Sequence, residues 1–574
     1  MVSVPAIILW LWASCAPRAS FAAFVDAYFD STFSYSPSLA TMAGIHRFDS
    51  RLEDRSSARV TARIATLKRQ LAELDTLRRG PLALDDSIDA AMLDGALRSE
   101  LLDEDVIGTW RKNPMIYIQG AGNAIDLLMK RDFAPLSERL ASVTSRLAGV
   151  PALLRAMRTN VTNPPREYTD IAIAIARGSV GFFRNDVAAW ARTAAGSDTA
   201  ALARFTTIDD SVVRAMSATV TWLETDLVPR SHGGFAIGAE AFAAKLRDDE
   251  MVDIPLDRLL ARGEANLARD RAALLATAAL VAPGKTPEEA MASLERDHPT
   301  RGTLLEATRA TIEGTRQFLI EHHIVDIPSD VRPVVTETPP YARVGTFASM
   351  DAPGALETRA TEAFYYVTPV EAEWDSARAE QHLRLYNRSV MNVITIHEVF
   401  PGHFLQFLYA RQFPTKTRKL LATNGFTANT NVEGWAHYGE QMMVEEGFGN
   451  GDPKTRLAQL SEALLRDCRW VVGMKEHTQG LSVAEAAQRY FTEQCFQEPA
   501  NGFEEARRGT YDPTYLYYAL GKLEIYKLRA DYQRARGSSY SLRQFHDDFV
   551  KQGAVPIKLI RRILLPGDTA AVLD

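Results

Sequence analysis

Three cysteines, Cys15, Cys468 and Cys495, are all the chain has in 574 residues. That is too few for a disulfide framework, and no C-x-x-C spacing provides a metal knuckle or a dithiol redox pair. A single Cys468–Cys495 bridge is open to the chain if it is exported. Charge of one sign is lacking as well: 65 Lys and Arg stand against 72 Asp and Glu, and the net −7 is spread along the sequence. Nothing there recommends nucleic acid or an anionic membrane as a partner. No internal repeat or low-complexity tract suggests a solenoid or a disordered array. The apolar run from Val4 to Trp12 is too short to span a bilayer, so no transmembrane span is expected. What is present is ordinary for a folded domain: 46% hydrophobic and 24% charged residues, in a chain long enough for a large core.

The first residues have the shape of a targeting segment. The Val4–Trp12 run is followed by small residues, Pro17-Arg18 and Ala19-Ser20-Phe21-Ala22. Trp12-Ala13-Ser14-Cys15 loosely resembles a bacterial lipoprotein cleavage box, with Trp where Leu is expected and no Lys or Arg ahead of the run. Three readings stay open: a leader over 1–22 that is cleaved, a lipid anchor on Cys15, or a mis-assigned start. The first two place the protein in the periplasm or on a membrane, the third in the cytoplasm.

Beyond the leader, helical periodicity dominates. Val60, Ile64, Leu67, Leu71 and Leu74 step by four and three; Leu256, Leu260, Leu267 and Leu274 repeat the pattern after Pro255, which suits a helix start. Amphipathic runs also occupy roughly 86–104, 136–158, 165–194, 209–228, 301–324, 456–478 and 512–534. The region that reads as extended is 331–370, where Val334-Val335-Thr336 and Phe364-Tyr365-Tyr366-Val367-Thr368 predict a small strand pair. Such a pair either borders a substrate cleft or simply covers the core. No linker separates independent domains, so 23–574 is expected to form one helical body.

The chemistry concentrates in His397-Glu398-Val399-Phe400-Pro401-Gly402-His403 and, thirty residues on, Glu433-Gly434-Trp435-Ala436-His437-Tyr438. Two histidines and a glutamate can hold zinc, and a second glutamate beside the first histidine can take a proton from an activated water. In the familiar H-E-x-x-H motif the histidines stand at i and i+4; here they stand at i and i+6. At roughly 100° per residue, an unbroken helix would turn His403 about 240° from His397. Pro401 lacks an N–H and crowds the preceding turn, and Gly402 accepts backbone angles other residues resist. The pair should loosen or bulge the helix and swing His403 back. Glu433, His437 and Glu440 share one helix face. Glu433 is the expected third ligand, with polar partners one and two turns on; His437 is an alternative ligand.

These motifs, His397-Glu398-x-x-Pro401-Gly402-His403-x-x-Gln406 and Glu433-Gly434-Trp435-Ala436-x-Tyr438-x-Glu440, closely resemble the bacterial family called domain of unknown function 885, whose members are similar to zincin-type metallopeptidases. The resemblance extends over nearly the whole mature chain. It includes Pro37-x-x-Ala40-Thr41-x-x-Gly44-Ile45-His46, Tyr365-Tyr366-Val367-Thr368-Pro369, Arg508-Gly509-Thr510-Tyr511-Asp512-Pro513-Thr514-Tyr515 and Tyr518-x-x-Gly521-Lys522. It implies a mainly α, two-lobed, zincin-like fold with a small β element beside the cleft, a metal site within 390–450 and a C-terminal catalytic motif at 508–522. It further implies one zinc on His397, His403 and Glu433, with Glu398 as general base. Tyr518 is the expected oxyanion donor with Tyr515 as substitute, Arg508 a clamp for a substrate carboxylate, and Gln406 a residue that orients a ligand. The expected activity is hydrolysis of short peptides, of the di- or oligopeptidase or the carboxypeptidase type. The alternatives are hydrolysis of a non-peptide or acyl-amino-acid amide, and peptide binding without catalysis. The side of cleavage, the substrate's identity and the oligomeric state are not specified by these residues.

Overall fold

The computed structural model describes residues 20–343, 346–421 and 428–573. The leader expectation, Cys15 included, lies almost wholly outside the described residues. Ser20 is within them, and its hydroxyl caps the Phe21–Tyr35 helix by accepting from the Ala23 N–H.

The chain is mainly helical, with one three-stranded sheet. The periodic segments form helices, but the buried stripe is not always the apolar one. In the Ser57–Leu77 helix, Val60, Leu67 and Leu74 are buried, whereas Ile64 and Leu71 are half-exposed. Arg63 and Gln70 take the positions between. Arg63 tolerates this because its fork meets the Glu100 carboxylate at 2.6 Å on both arms. The helix after Pro255, Leu256–Val281, buries Leu259, Leu267 and Leu274. Leu256 and Leu260 lie off that face. The run expected from 512 becomes a helix only at Tyr517–Arg536. Pro513 keeps Asp512 out of the helical region, at φ −120°, ψ 71°, and so separates it from the Pro499–Tyr511 helix.

The sheet holds β1 (Val334–Glu337), β2 (Ala348–Asp351) and β3 (Phe364–Val367) in the order β1-β3-β2. β1 runs parallel to β3, with Val334 opposite Phe364, and β2 runs antiparallel to it, with Ala348 opposite Val367. The expected pair is therefore a trio. The added strand, Ala-Ser-Met-Asp, has none of the β-branched or aromatic residues that mark strands in a sequence.

The largest apolar cluster joins Phe24, Leu67 and Leu93 from the N-terminal helices to Tyr365, Ile396, Trp435 and Phe549. The 115–227 helices carry a core of their own, built on Ile118, Leu147, Ile175 and Phe183. A third cluster surrounds Cys468 and Cys495, which are disulfide-bonded with their Cα atoms 6.6 Å apart. Among the described residues no helix is long and apolar enough to cross a membrane.

Candidate metal centre

The first motif is carried by the Arg388–Glu398 helix, whose start is capped by the Asn387 side chain accepting from the Val390 N–H. His397 and Glu398 are its last two residues. Val399 then turns away (φ −116°, ψ −77°), and a second helix, His403–Tyr409, begins at the second histidine. The expected bulge is thus a complete break. Pro401 offers no N–H to continue the first helix, and the Gly402 N–H returns to the Ile396 carbonyl at 3.0 Å. A Cβ on Gly402 would stand 1.6 Å from the His397 carbonyl oxygen, so only glycine closes this turn. The Trp435 indole N–H donates to the Pro401 carbonyl at 2.7 Å, fastening the turn to the second motif. As a result the two imidazoles meet edge to face, 4.9 Å between centroids.

Glu433 comes from the Asn429–Glu445 helix. The first N–H groups of a helix have no partner within it. Here Glu250, from another helix, accepts from the Asn429 N–H, the Thr430 N–H and the Thr430 hydroxyl at 2.9, 2.9 and 2.6 Å. Farther along, the backbone crosses that of Tyr517–Arg536 so closely that a Cβ on Gly434 would lie 2.6 Å from the Gly521 Cα. Gln406 does not reach a histidine. Its amide donates to Asn431 at 3.2 Å, and Asn431 donates to the Gly553 and Val555 carbonyls, so Gln406 ties two helices together.

One ligand atom from each of His397, His403 and Glu433 lies within 4.8 Å of the other two. The Nε2 atoms of His397 and His403 stand 3.2 and 3.4 Å from Glu433 Oε2. Both imidazoles are buried, while the Glu433 side chain keeps 22% of its surface exposed. Burial lowers the proton affinity of His397, but hydrogen bonds to Glu433 and Glu440 outweigh it and bring its pKa to about 10. Burial acts to raise Glu433, and the two imidazoles hold it well below the carboxylate range. Glu398 is raised, by burial first and then by the nearby Glu433 charge, with both imidazoles and the Met350 N–H of β2 working the other way. β2, an edge strand, therefore lies beside Glu398.

Behind the cluster, Glu440 accepts from His397 Nδ1 at 2.7 Å and from His437 Nδ1 at 3.0 Å. That leaves His397 Nε2 directed at Glu433 and His403, the arrangement in which a carboxylate orients a ligating imidazole. The residues present therefore fit a divalent ion: two imidazole nitrogens and a carboxylate oxygen, with one ring oriented from behind. His437, the alternative ligand, is not part of the cluster. Burial and the Lys522 charge lower its pKa to about 3, so the ring is neutral, and Arg466, 3.7 Å away, is the cation that serves Glu440.

Tyr518 is brought to the site and Tyr515 is not. The Tyr518 ring lies 6.2 Å from the His397 ring, and its hydroxyl accepts from Arg508 at 3.1 Å. Arg466 and Arg469 also flank it, 5.7 and 5.2 Å from its centroid. Tyr515 is fully buried against Gly473 and Gly509 with its hydroxyl 3.5 Å from the Glu505 carbonyl, because the turn after Pro513 sends it inward. Arg508 pairs with Asp512 at 3.2 Å. Two adjoining cavities of about 410 and 400 Å³ share Asp103, Lys245, Tyr511 and Pro513. Neither is lined by the imidazoles; Tyr517 lines the first, Arg508 the second, and both side chains touch Tyr518.

Comparison with family models matches residues 37–564 to a bacterial protein family of unknown function, DUF885. The chain belongs to the DUF885 family. The matched span includes every residue of the cluster and of the Arg508–Tyr518 group. No curated protein matches the chain. Among solved structures, it resembles a candidate lipoprotein of unknown function from Shewanella oneidensis, with 28% identity and a TM-score of 0.77 over 95% of this chain and all of that one. A candidate lipoprotein from Colwellia psychrerythraea shares the fold, with 19% identity and a TM-score of 0.73 over 95% of this chain and 98% of that one.

Several site residues of this DUF885 chain carry no sequence signal. Glu250 sits in an unremarkable acidic run, and Arg466 and Arg469 read as the charged face of a long helix. A carboxylate distant in sequence from the motif can be assigned as its cap only once the fold brings the two together.

Proposed function

We propose that this DUF885 chain is a zinc-dependent hydrolase that cleaves amide bonds in short peptides. The observation that carries the reading is the convergence of His397, His403 and Glu433, with Glu398 following the first ligand in the chain. One zinc per chain suits two imidazoles and a carboxylate; when bound, it supplies Lewis-acid charge that lowers the pKa of water to about 7 and polarises a carbonyl. The remaining steps belong to the chain's own groups. Glu398 takes the proton of the attacking water and hands it to the leaving amine. Tyr518 accepts from Arg508, which leaves its own proton free to donate to the developing oxyanion, an interaction typically worth about 3–4 kcal/mol. Glu440 keeps the His397 ring in place throughout.

A zincin-like, two-lobed architecture goes with this reading. It is supported by the separate core of the 115–227 helices and by the cavity between their Ile116, Ile171 and Ile175 and the Glu505–Arg508 face. Export, with lipid attachment at Cys15, is supported by the description of the two structural relatives and by the Cys468–Cys495 bridge, which suits an oxidising compartment.

The test is metal content by mass spectrometry for wild type, Glu433→Ala and Glu398→Gln, each then given a mixed short-peptide library. One zinc per chain in wild type and Glu398→Gln, less in Glu433→Ala, and cleavage by wild type alone are expected. Zinc bound with every peptide intact would move the substrate to acylated amino acids or other amides. A folded wild type that takes up no zinc would sink the reading.

A further inference from the structure

We infer that the cavity beside Arg508 receives the C-terminal residue of the substrate, with its carboxylate on Arg508 and an apolar side chain against Ile116, Ile171, Ile175 and Phe235, so that cleavage releases one amino acid from the C-terminus. This rests on the peptide-hydrolase reading above and names its substrate class.

The cavity-wall cations Lys112 and Arg508 are not fully committed to a carboxylate of the described residues, and Arg508 is the one that also reaches Tyr518. Glu505 is engaged by both arms of Arg469, at 2.8 and 2.9 Å, and Glu504 by Arg507. Lys245 is held by Asp249 at 2.7 Å, with Asp103 also acting on it. Arg508 uses only Nη2, toward Asp512 and Tyr518. Its Nε and Nη1 donate to no described residue, and 29% of the side chain remains exposed. A guanidinium with free donors on a cavity wall is a site for a carboxylate, which accepts two parallel bonds from it. The apolar part of the lining is Ile116, Ile171, Ile175, Phe235 and Ile237. At about 400 Å³ the cavity is within the size range of small-ligand sites.

The distance to Tyr518 fixes where the chain is cut. Arg508 Nη2 and the Tyr518 hydroxyl are 3.1 Å apart, and consecutive Cα atoms are separated by about 3.8 Å. A peptide whose terminal carboxylate meets Arg508 therefore presents the carbonyl of its last peptide bond to Tyr518. Water adds to that carbonyl carbon, the C–N bond breaks, and the proton goes to the amine of the departing residue.

Two arms test this. In the first, zinc-loaded wild type is given acetyl-Ala-Ala-Phe, its C-terminal amide, and acetyl-Ala-Ala-Asp amide. The expected result is free phenylalanine from the acid, with kcat/KM at least about 100-fold above either amide, roughly the loss of a charged bidentate contact. In the second, acetyl-phenylalanine and its amide are titrated into the metal-free full chain by calorimetry. The acid should bind more tightly; Arg508→Gln should abolish the difference and Arg508→Lys restore part of it, because lysine keeps the charge but loses the fork. Ile116→Trp, which fills the apolar wall, should weaken phenylalanine more than alanine. Equal cleavage of acid and amide would overturn the inference while leaving peptide hydrolysis intact. Cleavage of the Asp amide at the rate of the acid would assign Arg508 to a side-chain carboxylate and overturn it too. Binding of acid and amide alike, or an Arg508→Gln variant that still prefers the acid, would overturn it in the second arm. Acid-selective, Arg508-dependent binding with no peptide cut would support the site and reject the hydrolase.

Discussion

Two clusters of buried titratable groups meet at His437, and they are built on opposite principles. On one side Asp270, Asp467 and Lys522 lie out of water together. Asn266 donates to Asp467 at 2.5 Å, and Lys522 stands 3.5 Å from Asp270. Burial and the Asp270 charge push Asp467 well above the carboxylate range. The proton affinity of Asp270, by contrast, is lowered by Lys522 and Arg269 despite burial. This cluster has its own cations, Lys522 within it and Arg269 at 2.8 Å from Asp270, and closes on itself. On the other side, His397, His403 and Glu433 converge with no lysine or arginine among them, and Glu433 is still partly open. The cations of the first cluster are a lysine and an arginine fixed in the chain; the cation of the second is a proton on His397, and an imidazole nitrogen that gives up its proton is free to take a metal ion instead.

The contrast is open to attack at several points. Glu398→Gln should lower peptide hydrolysis by about 10²–10⁴-fold without releasing zinc, read as initial rates beside metal content. Tyr518→Phe should reduce kcat by about 10²–10³-fold with KM little changed. In the closed cluster, Lys522→Met removes the buried cation and leaves Asp270 only the largely exposed Arg269, 2.8 Å away; the loss in urea unfolding should fall below the about 3–5 kcal/mol of a buried charge stripped of every partner, and zinc stoichiometry should stay at one. Glu440→Gln should keep the fold and weaken zinc binding about 10–100-fold, measured by competition with a chelator.

A last effect concerns pH. Glu476 is fully buried with neither oxygen hydrogen-bonded, and burial, then the Glu167 charge, raise its pKa to about 9. Between its ordinary value near 4.5 and about 9, the folded state holds a proton that the unfolded state has lost. Its contribution to stability therefore falls as pH rises through that window, by at most about 1.4 kcal/mol per unit. Glu476→Gln should flatten this part of the profile, seen as wild-type and variant urea midpoints that diverge from pH 5 to pH 8.

What could be read from the sequence was local. His397, His403 and Glu433 declare themselves by residue type and spacing, and Pro401-Gly402 announces that the helix cannot continue. The helices of 57–77 and 256–281 were legible in their period, but not in which stripe turns inward. Arg63 displaces the expected apolar positions because Glu100, distant in sequence, neutralises it. β2 was invisible because β3 recruits it by backbone pairing. Tyr515 and Tyr518 look equivalent in the sequence, and only the turn after Pro513 sends one into the core and the other toward His397.

The contact between Gly434 and Gly521 bears on how reproducible the site is. Side chains repack as a protein warms, and a separation maintained by them drifts accordingly. Here the spacing between the helix of Glu433 and the helix of Tyr518 is set by main chain against main chain, with no rotamer in between: a Cβ on Gly521 would stand 1.9 Å from the Thr430 carbonyl oxygen. The gauge is rigid, and it lies one residue from Glu433 and one turn from Tyr518. It makes the distance between the Glu433 carboxylate and the Tyr518 hydroxyl insensitive to sequence drift in the surrounding core.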